Sequence, residues 1–170
     1  MKNVLVIYYT QSGQLHEIAN QIAKPFLNDK AIDLTFHEIK LKKPFPFPWD
    51  NDSFFGAFPE SFLQIPSDLE PVPTEILEKK YDLILFHYQV WYLSPSIPIN
   101  SFLKSEEGKK IVNNTPVITI SGSRNMWIMA QEKVKVLLRE VNAKLVGNVA
   151  LVDRVGNLIS VITIVEWMFS

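Results

Sequence analysis

The first 26 residues constrain the fold of this chain more than any other stretch. An apolar run over residues 4–9 continues into a turn rich in hydroxyl groups, Thr10-Gln11-Ser12-Gly13-Gln14. Apolar residues then recur at a spacing that places them on one face of a helix packed against a sheet. They are Leu15, Ile18, Ala19, Ile22, Ala23 and Phe26. The chain therefore begins as a strand, a turn and a helix.

The turn over residues 10–15, called the first turn below, has the features of an anion site. Unpaired backbone N–H groups and the helix dipole attract negative charge at a helix N-terminus. Thr10 and Ser12 add hydroxyl groups beside the flexible Gly13, so a phosphate is the expected ligand. The residues leave open the alternative that Thr10 and Ser12 only cap the helix. The glycine patterns of P-loops and dinucleotide-binding folds are both absent from the sequence.

The composition favours a single cytoplasmic domain that spans the whole chain, residues 1–170. A chain of 170 residues is long enough to bury a sizeable core. It has no cysteine, which excludes disulfides, thiolate metal sites and cysteine nucleophiles. A net charge of -1 without a basic block gives nucleic acid nothing to bind. The longest apolar run, residues 158–165, is too short to span a membrane, and no signal peptide pattern is present.

Strands and helices alternate along the chain, as a doubly wound parallel α/β sheet requires. Residues 32–37 alternate between apolar and polar side chains, which is typical of an edge strand. Residues 83–88 and 117–120 are continuous apolar runs, which are typical of buried central strands. Residues 145–152 are expected to form a fifth strand.

Three further helices are expected. Residues 99–112 have a loosely amphipathic pattern that is interrupted near Gly108, and residues 127–141 have a clear helical face. Residues 158–169 have the length of a helix although β-branched residues are frequent there. None of the three histidines, His16, His37 and His87, has the spacing of a metal site, and no general acid or base is indicated.

A segment rich in proline and phenylalanine interrupts the alternation at about residues 43–75, between the second and third strands. It begins with Pro44-Phe45-Pro46-Phe47-Pro48-Trp49. Proline excludes a long regular helix here, but residues 53–63 can form a short one with Ser53 as its N-cap. We expect the phenylalanines of this insertion to form a local core beside the strand ends. A lid, or a surface for a partner such as a second copy of the chain, is the alternative.

Two further turns follow the central strands. In an open parallel sheet, ligands bind beyond the carboxyl ends of the strands at the switch point, here between the first and third strands. The second turn, Gln89-Val90-Trp91-Tyr92-Leu93, offers aromatic rings that either stack on a flat heterocycle or simply pack. In the third turn, Ser121-Gly122-Ser123-Arg124-Asn125, small residues let backbone N–H groups approach a polar ring edge. Arg124 either faces a negatively charged ring or lies on the surface.

The first turn resembles the FMN-phosphate loop of flavodoxins, T/S-x-T/S-G-x-T/S, and five of its six positions fit. The order of the three turns resembles the flavodoxin-like NAD(P)H:quinone or FMN reductases. This resemblance implies a flavodoxin-like fold with five parallel strands in the order 2-1-3-4-5, and FMN held by the three turns. Leu15 replaces a hydroxyl residue, and a lost hydrogen bond to a charged group costs about 1.5–3 kcal/mol, so weakened or absent FMN binding is expected. The implied cofactor-binding residues are Thr10, Gln11, Ser12, Gly13, Gln14, Leu15, Gln89, Val90, Trp91, Tyr92, Leu93, Ser121, Gly122, Ser123 and Asn125.

Residues 8–14, 43–49 and 89–96 resemble, more specifically, bacterial dialkylresorcinol condensing enzymes. This resemblance implies a flat aromatic or quinone-like substrate. Because the chain has no thiolate for carbon–carbon condensation, we expect FMN-dependent oxidation or aromatisation of a ring. Such proteins run longer, and the apolar end at residues 165–170 is expected to mark a C-terminal truncation. The alternative is a flavin-free binding or scaffold module of a biosynthetic system.

Overall fold

Five parallel strands form the central sheet. The computed structural model describes residues 1–123 and 126–152. The strands are β1 (Lys2–Tyr8), β2 (Ile32–Glu38), β3 (Leu83–Trp91), β4 (Ser94–Pro95), β5 (Pro116–Ser123) and β6 (Lys144–Val152). The two-residue β4 pairs antiparallel with the end of β3, and the others run in the order β2-β1-β3-β5-β6. Counted along the chain, the parallel strands therefore have the order 2-1-3-4-5, which confirms the predicted fold class.

Helices cover the two faces of this sheet. They are α1 (Gln14–Leu27), α2 (Asn51–Phe62), α3 (Thr74–Leu77), α4 (Ile97–Lys104), α5 (Glu106–Val112) and α6 (Ile128–Glu140). Side chains of a strand point alternately to opposite faces, so Val4 and Val6 of β1 pack with α1, whereas Leu5 and Ile7 belong to the core beneath α4, α5 and α6. This two-sided burial explains the continuous apolar run in β1. In the part of the chain that the structure describes, no helix is long and apolar enough to cross a membrane.

The helix predicted over residues 99–112 is two helices, and the predicted interruption near Gly108 was misplaced. The break lies at Ser105, whose hydroxyl caps α5 by accepting a hydrogen bond from the Gly108 N–H at 3.0 Å. Gly108 itself lies inside α5. A Cβ atom at this position would lie 1.9 Å from the Phe102 carbonyl oxygen. The glycine is therefore needed for the close approach of α5 to the end of α4.

The insertion contains the predicted short helix, α2, but its predicted N-cap was wrong. Asp50 is the N-cap, because its carboxylate accepts hydrogen bonds from both the N–H of Ser53, at 2.7 Å, and the Ser53 hydroxyl, at 2.8 Å. Ser53 lies within the helix. Hydrogen bonds from Ser53 hold the pKa of the Asp50 carboxyl below its usual value. The carboxylate therefore stays charged at the positive end of the helix dipole.

The aromatic residues of the insertion are partly buried and partly exposed. Trp49 and Ala57 form a small core with Ile97 of α4, and Phe45 and Phe54 pack against it. The predicted local core is therefore present for Phe45 and Phe54. Three phenylalanines of α2 remain exposed on its outer face, with 67% exposure at Phe55, 47% at Phe58 and 44% at Phe62. The helix predicted over residues 158–169 lies outside the described residues.

Candidate functional site

The three predicted turns meet at the carboxyl edge of the sheet. Tyr9, directly before the first turn, packs edge to face on Trp91 of the second turn, with ring centroids 6.0 Å apart. Gln89 at the end of β3 lies in register with Gly122 at the end of β5. A Cβ atom at Gly122 would lie 3.4 Å from Leu15 Cδ1, so the third turn also touches the first. Asn125, and Arg124 beside it, lie outside the described residues.

The first turn exposes its backbone. Gly13 is the N-cap of α1, so it offers no side chain to cap the helix, and its φ of 88° is in the left-handed region. Among residues 1–123 and 126–152, its direct chain neighbours aside, no atom lies within 4 Å of the position of a Cβ there. The Thr10 hydroxyl accepts a hydrogen bond from the Gly13 N–H at 3.0 Å, and the Ser12 hydroxyl accepts one from the Gln14 N–H at 3.5 Å. In this structure both hydroxyls therefore cap the turn's own backbone.

Leu15 is buried, with 2% of its side chain exposed. Its side chain lies beneath Gly122 and does not line the exposed surface of the turn. An apolar residue suits this position because it is buried. Any contact between Leu15 and an anion at the turn would therefore involve its backbone N–H.

The side chain of Gln11 ties the first turn to the insertion. Its amide donates hydrogen bonds to the carbonyl oxygens of Pro46, at 2.9 Å, and Phe45, at 3.3 Å, and its side-chain oxygen accepts one from the Tyr9 hydroxyl. Burial, and next the charge of Glu38, raise the pKa of Tyr9 well above its usual value. The Tyr9 hydroxyl therefore remains a donor over the physiological pH range.

The aromatic side chains of the second turn pack against the insertion. The rings of Phe45 and Trp49 lie 5.4 and 5.5 Å from Trp91, both nearly perpendicular to it. Tyr92 contacts the rings of Phe54 and Phe58 and donates a hydrogen bond to the Phe54 carbonyl oxygen at 2.5 Å. Burial raises the pKa of Tyr92 to about 12. Both aromatic residues are thus used for packing, which is the alternative that the sequence left open.

The second turn begins later than the sequence suggested. Gln89, Val90 and Trp91 still belong to β3, and Val90 packs against the core. The chain turns at Tyr92 and Leu93, where φ is 48° and 62°. In the same way, the described part of the third turn, residues 121–123, belongs to β5.

Buried polar atoms without partners lie where β3 and β5 end. Within residues 1–123 and 126–152, neither the Gln89 side-chain oxygen nor the Ser123 hydroxyl oxygen has a hydrogen bond partner, although both atoms are buried. Leaving such an atom unsatisfied costs about 1–3 kcal/mol. A ligand that carries donor and acceptor groups would satisfy them.

The sequence analysis missed the residues that surround the second turn. Phe45 and Trp49 reach Trp91 across more than forty positions of sequence, and no local pattern indicates such a contact. Tyr8 and His16 were also missed as a pair. The Tyr8 hydroxyl lies 2.7 Å from His16 Nδ1, and His16 Nε2 lies 2.9 Å from the side-chain amide of Asn20. The spacing of His16 and Asn20, one helical turn apart on α1, is a signal that could have indicated their contact.

A cleft of about 720 Å³ lies within the insertion. It shares Phe45 and Pro46 with the contact to Gln11. Its volume is within the range of small-molecule sites. Its other lining residues are Lys42, Lys43, Pro44, Ser53, Gly56, Ala57, Glu60, Pro66, Ser67 and Asp68.

Solved flavoproteins have the same architecture. A flavoprotein of Lactobacillus acidophilus in complex with FMN matches with a TM-score of 0.68 and 19% identity, over 88% of this chain and 93% of its own. A candidate flavoprotein of Bacteroides eggerthii matches with a TM-score of 0.67 and 14% identity, over 100% and 99%. A flavodoxin from the Archaea matches with a TM-score of 0.54 and 13% identity, over 99% and 94%.

The chain has the flavodoxin-like fold. No protein-family model matches it, and no curated protein does. At these identities the similarity to flavoproteins is a similarity of fold. The function must therefore be argued from the residues at the carboxyl edge of the sheet.

Proposed function

We propose that this chain is a single cytoplasmic flavodoxin-like domain that binds FMN at the three turns. The observation that supports the proposal most is their convergence. Tyr9, directly before the first turn, packs on Trp91 of the second turn, and Leu15 of the first turn lies beside Gly122 of the third. The first turn would hold the phosphate, through N–H groups at the start of α1 and the hydroxyls of Thr10 and Ser12. The two hydroxyls can keep the backbone hydrogen bonds that they accept, because each still has an O–H to donate to the phosphate.

The residues at the ends of β3 and β5 fit the polar edge of a flavin. Gln89 and Ser123 carry buried oxygen atoms that lack partners among the described residues. Gly122 precedes Ser123 and lies in register with Gln89. It has no side chain to keep a planar ring away from the backbone. Trp91 and Tyr92 would lie beside the ring and limit its contact with water. These residues, together with the others of the three turns that the sequence indicated, are the proposed cofactor-binding set.

For the reaction, we propose oxidation of a flat apolar ring, with dialkylresorcinol biosynthesis as the setting. Conversion of a cyclohexanedione into a resorcinol removes two electrons and two protons, which FMN accepts when bound and an external electron acceptor then takes up. The partly exposed rings of Phe45 and Trp91 would provide an apolar surface for such a substrate. The absence of cysteine argues against carbon–carbon condensation through a thiolate.

One observation favours a second function, that of a flavin-free binding or scaffold module. The hydroxyls of the first turn bind its own backbone, and the insertion packs on Trp91 and Tyr92. A domain that had lost its cofactor would show such self-satisfied turns. The two functions differ in whether the isolated chain takes up flavin.

The test is a titration of the purified chain with FMN and, separately, with riboflavin, followed by flavin absorbance and fluorescence. Proposed phosphate binding at the first turn predicts that FMN binds tighter than riboflavin by roughly tenfold or more, because one hydrogen bond to a charged group is worth about 1.5–3 kcal/mol. Absence of binding by either flavin would favour the scaffold function. Equal affinity for the two would place the phosphate away from the first turn.

With FMN bound, a cyclohexanedione and an electron acceptor should give a resorcinol. Formation of resorcinol from acyl precursors by a flavin-free preparation would instead assign condensation to the protein.

A further inference from the structure

The side chain of Gln11 is fully occupied by partners within the protein. Its NH₂ group donates hydrogen bonds to the carbonyl oxygens of Pro46, at 2.9 Å, and Phe45, at 3.3 Å, and its oxygen accepts one from the Tyr9 hydroxyl. A carbonyl oxygen can only accept, and the tyrosine hydroxyl donates here, so the three partners together fix the orientation of the amide. Both amide N–H groups are therefore used to hold the insertion and are not available to a phosphate.

The insertion is anchored to the rest of the fold independently of Gln11. The Ser61 hydroxyl of α2 donates a hydrogen bond to the Trp91 carbonyl oxygen at 3.0 Å. The side-chain amide of Asn100 on α4 donates one to the Gln64 carbonyl oxygen at 2.8 Å. The insertion is thus fixed to the end of β3 and to α4, and it provides a firm point of attachment for the first turn.

The first turn has less to hold it in place. Among the described residues, the hydroxyls of Thr10 and Ser12 bond only to the turn's own backbone, at Gly13 and Gln14. Gln11 is the residue of this turn whose side chain hydrogen-bonds a distant segment. Glycine is conformationally permissive, and Gly13 lies in the left-handed region. An attachment outside the turn therefore limits the conformations that the turn adopts.

The segment that accepts the Gln11 hydrogen bonds is stiff. Prolines occupy positions 44, 46 and 48. Proline fixes its own φ and restricts the residue before it to extended backbone. The Phe45 ring also packs on Trp91, with centroids 5.4 Å apart. The carbonyl oxygens that face Gln11 therefore keep their direction.

We propose that Gln11 is a positioning residue, through which the insertion holds the first turn in the conformation that binds the FMN phosphate. The inference rests on the proposed function for its ligand, whereas the link between the insertion and the turn is a property of the chain without flavin. The insertion thereby sets the phosphate-dependent part of the affinity for FMN. The flavin ring is assigned to the second and third turns, and its contacts there do not involve the Gln11 side chain.

The first test measures amide hydrogen exchange by NMR in the flavin-free chain. Gln11→Met keeps the length of the side chain but removes its three hydrogen bonds. Exchange at the Gly13 N–H should become faster by roughly threefold or more, because the turn loses its outside attachment. Gln21→Met, the same replacement at an exposed position of α1, is the matched control and should leave this rate unchanged. An unchanged rate at Gly13 in Gln11→Met would overturn the proposal.

The second test compares FMN with riboflavin in titrations of the same variants. Gln11→Met should weaken FMN binding by roughly tenfold and leave riboflavin binding within about twofold, since riboflavin has no phosphate. A merely structural role would weaken both flavins equally, and that result, or unchanged FMN binding, would overturn the proposal. If the wild-type chain binds neither flavin, the proposed function fails, and the exchange rate at Gly13 still decides whether the insertion holds the turn.

Denaturant unfolding shows whether Gln11→Met is folded, and Tyr9→Phe is the second variant if it is not. Tyr9→Phe removes only the hydroxyl that orients the Gln11 amide. It should change the exchange rate and the FMN affinity in the same directions as Gln11→Met, by smaller factors. No change in either quantity would count against the proposal in the same way.

Discussion

Gly13 shapes the first turn through its backbone. Its φ of 88° is a conformation that costs an L-residue about 1–2 kcal/mol, and the space above it is open. Gly13→Val would strain the turn and place two methyl groups where an anion is proposed to bind. We expect the unfolding free energy to fall by about 1–2 kcal/mol, measured in urea, and the affinity for FMN to fall clearly in a flavin titration.

Gly56 provides the control for this substitution. It also has open space around it, but it lies inside α2 and has no positive φ. Gly56→Val should leave FMN affinity unchanged. An equal loss of FMN affinity in both variants would show that the backbone conformation of Gly13 does not determine FMN binding.

His87 makes the stability of the fold depend on pH. The side chain is fully buried in β3, and burial lowers its pKa from 6.5 to about 4. Below pH 6.5 the unfolded chain therefore takes up a proton that the folded chain takes up only near pH 4. We expect the unfolding free energy to fall as the pH falls through this window, by roughly 1.4 kcal/mol per pH unit from this group.

Urea unfolding at a series of pH values, with the imidazole signals followed by NMR, measures this effect. Burial also lowers the pKa of His37, so its contribution has the same sign. A constant unfolding free energy between about pH 6.5 and pH 4 would contradict the account, because a histidine kept neutral by burial must produce this slope.

At the scale of secondary-structure elements, the junction of α4 and α5 depends on Gly108. A Cβ atom there would lie 1.9 Å from the backbone oxygen of Phe102, and backbone cannot move aside as a flexible side chain can. Gly108→Ala is expected to lower the unfolding free energy by roughly 1–3 kcal/mol. Gly56→Ala, in a helix with open space, should instead raise it by about 0.5–1 kcal/mol. Thermal or urea unfolding of the two variants measures both, and a change of the same sign in both would refute the explanation.

The elements that the sequence predicts well are those whose pattern is local. The spacing of Leu15, Ala19 and Ala23 is sufficient for α1, and these residues are its buried ones. The same reasoning misplaced the break between α4 and α5, because a glycine indicates either a helix end or a close approach and only the packed structure distinguishes them. Sequence reasoning also chose Ser53 rather than Asp50 as the N-cap of α2, because both residue types are good caps. Only the structure shows that the Asp50 carboxylate accepts hydrogen bonds from the N–H and the hydroxyl of Ser53.

At the scale of the whole molecule, the sequence placed the three turns together and the insertion beside the strand ends, but it did not give the individual contacts between them. The turns follow neighbouring strands of a parallel sheet, so topology alone brings them to one edge. The contact of Trp91 with Phe45 and Trp49 depends on how a proline-rich segment folds back, and no periodic pattern encodes it. The burial of Leu15 beneath Gly122 likewise joins distant positions.

The most direct test of the proposed cofactor site is a map of backbone amide NMR shifts of the assigned chain on addition of FMN. The account predicts that the largest changes occur together at the first turn around Gly13, at the end of β3 around Gln89, and at the end of β5 around Gly122. Residues of α5, far from this edge, should be unchanged. Changes confined to the cleft within the insertion, or no changes at saturating FMN, would contradict the proposal that the three turns form one flavin site.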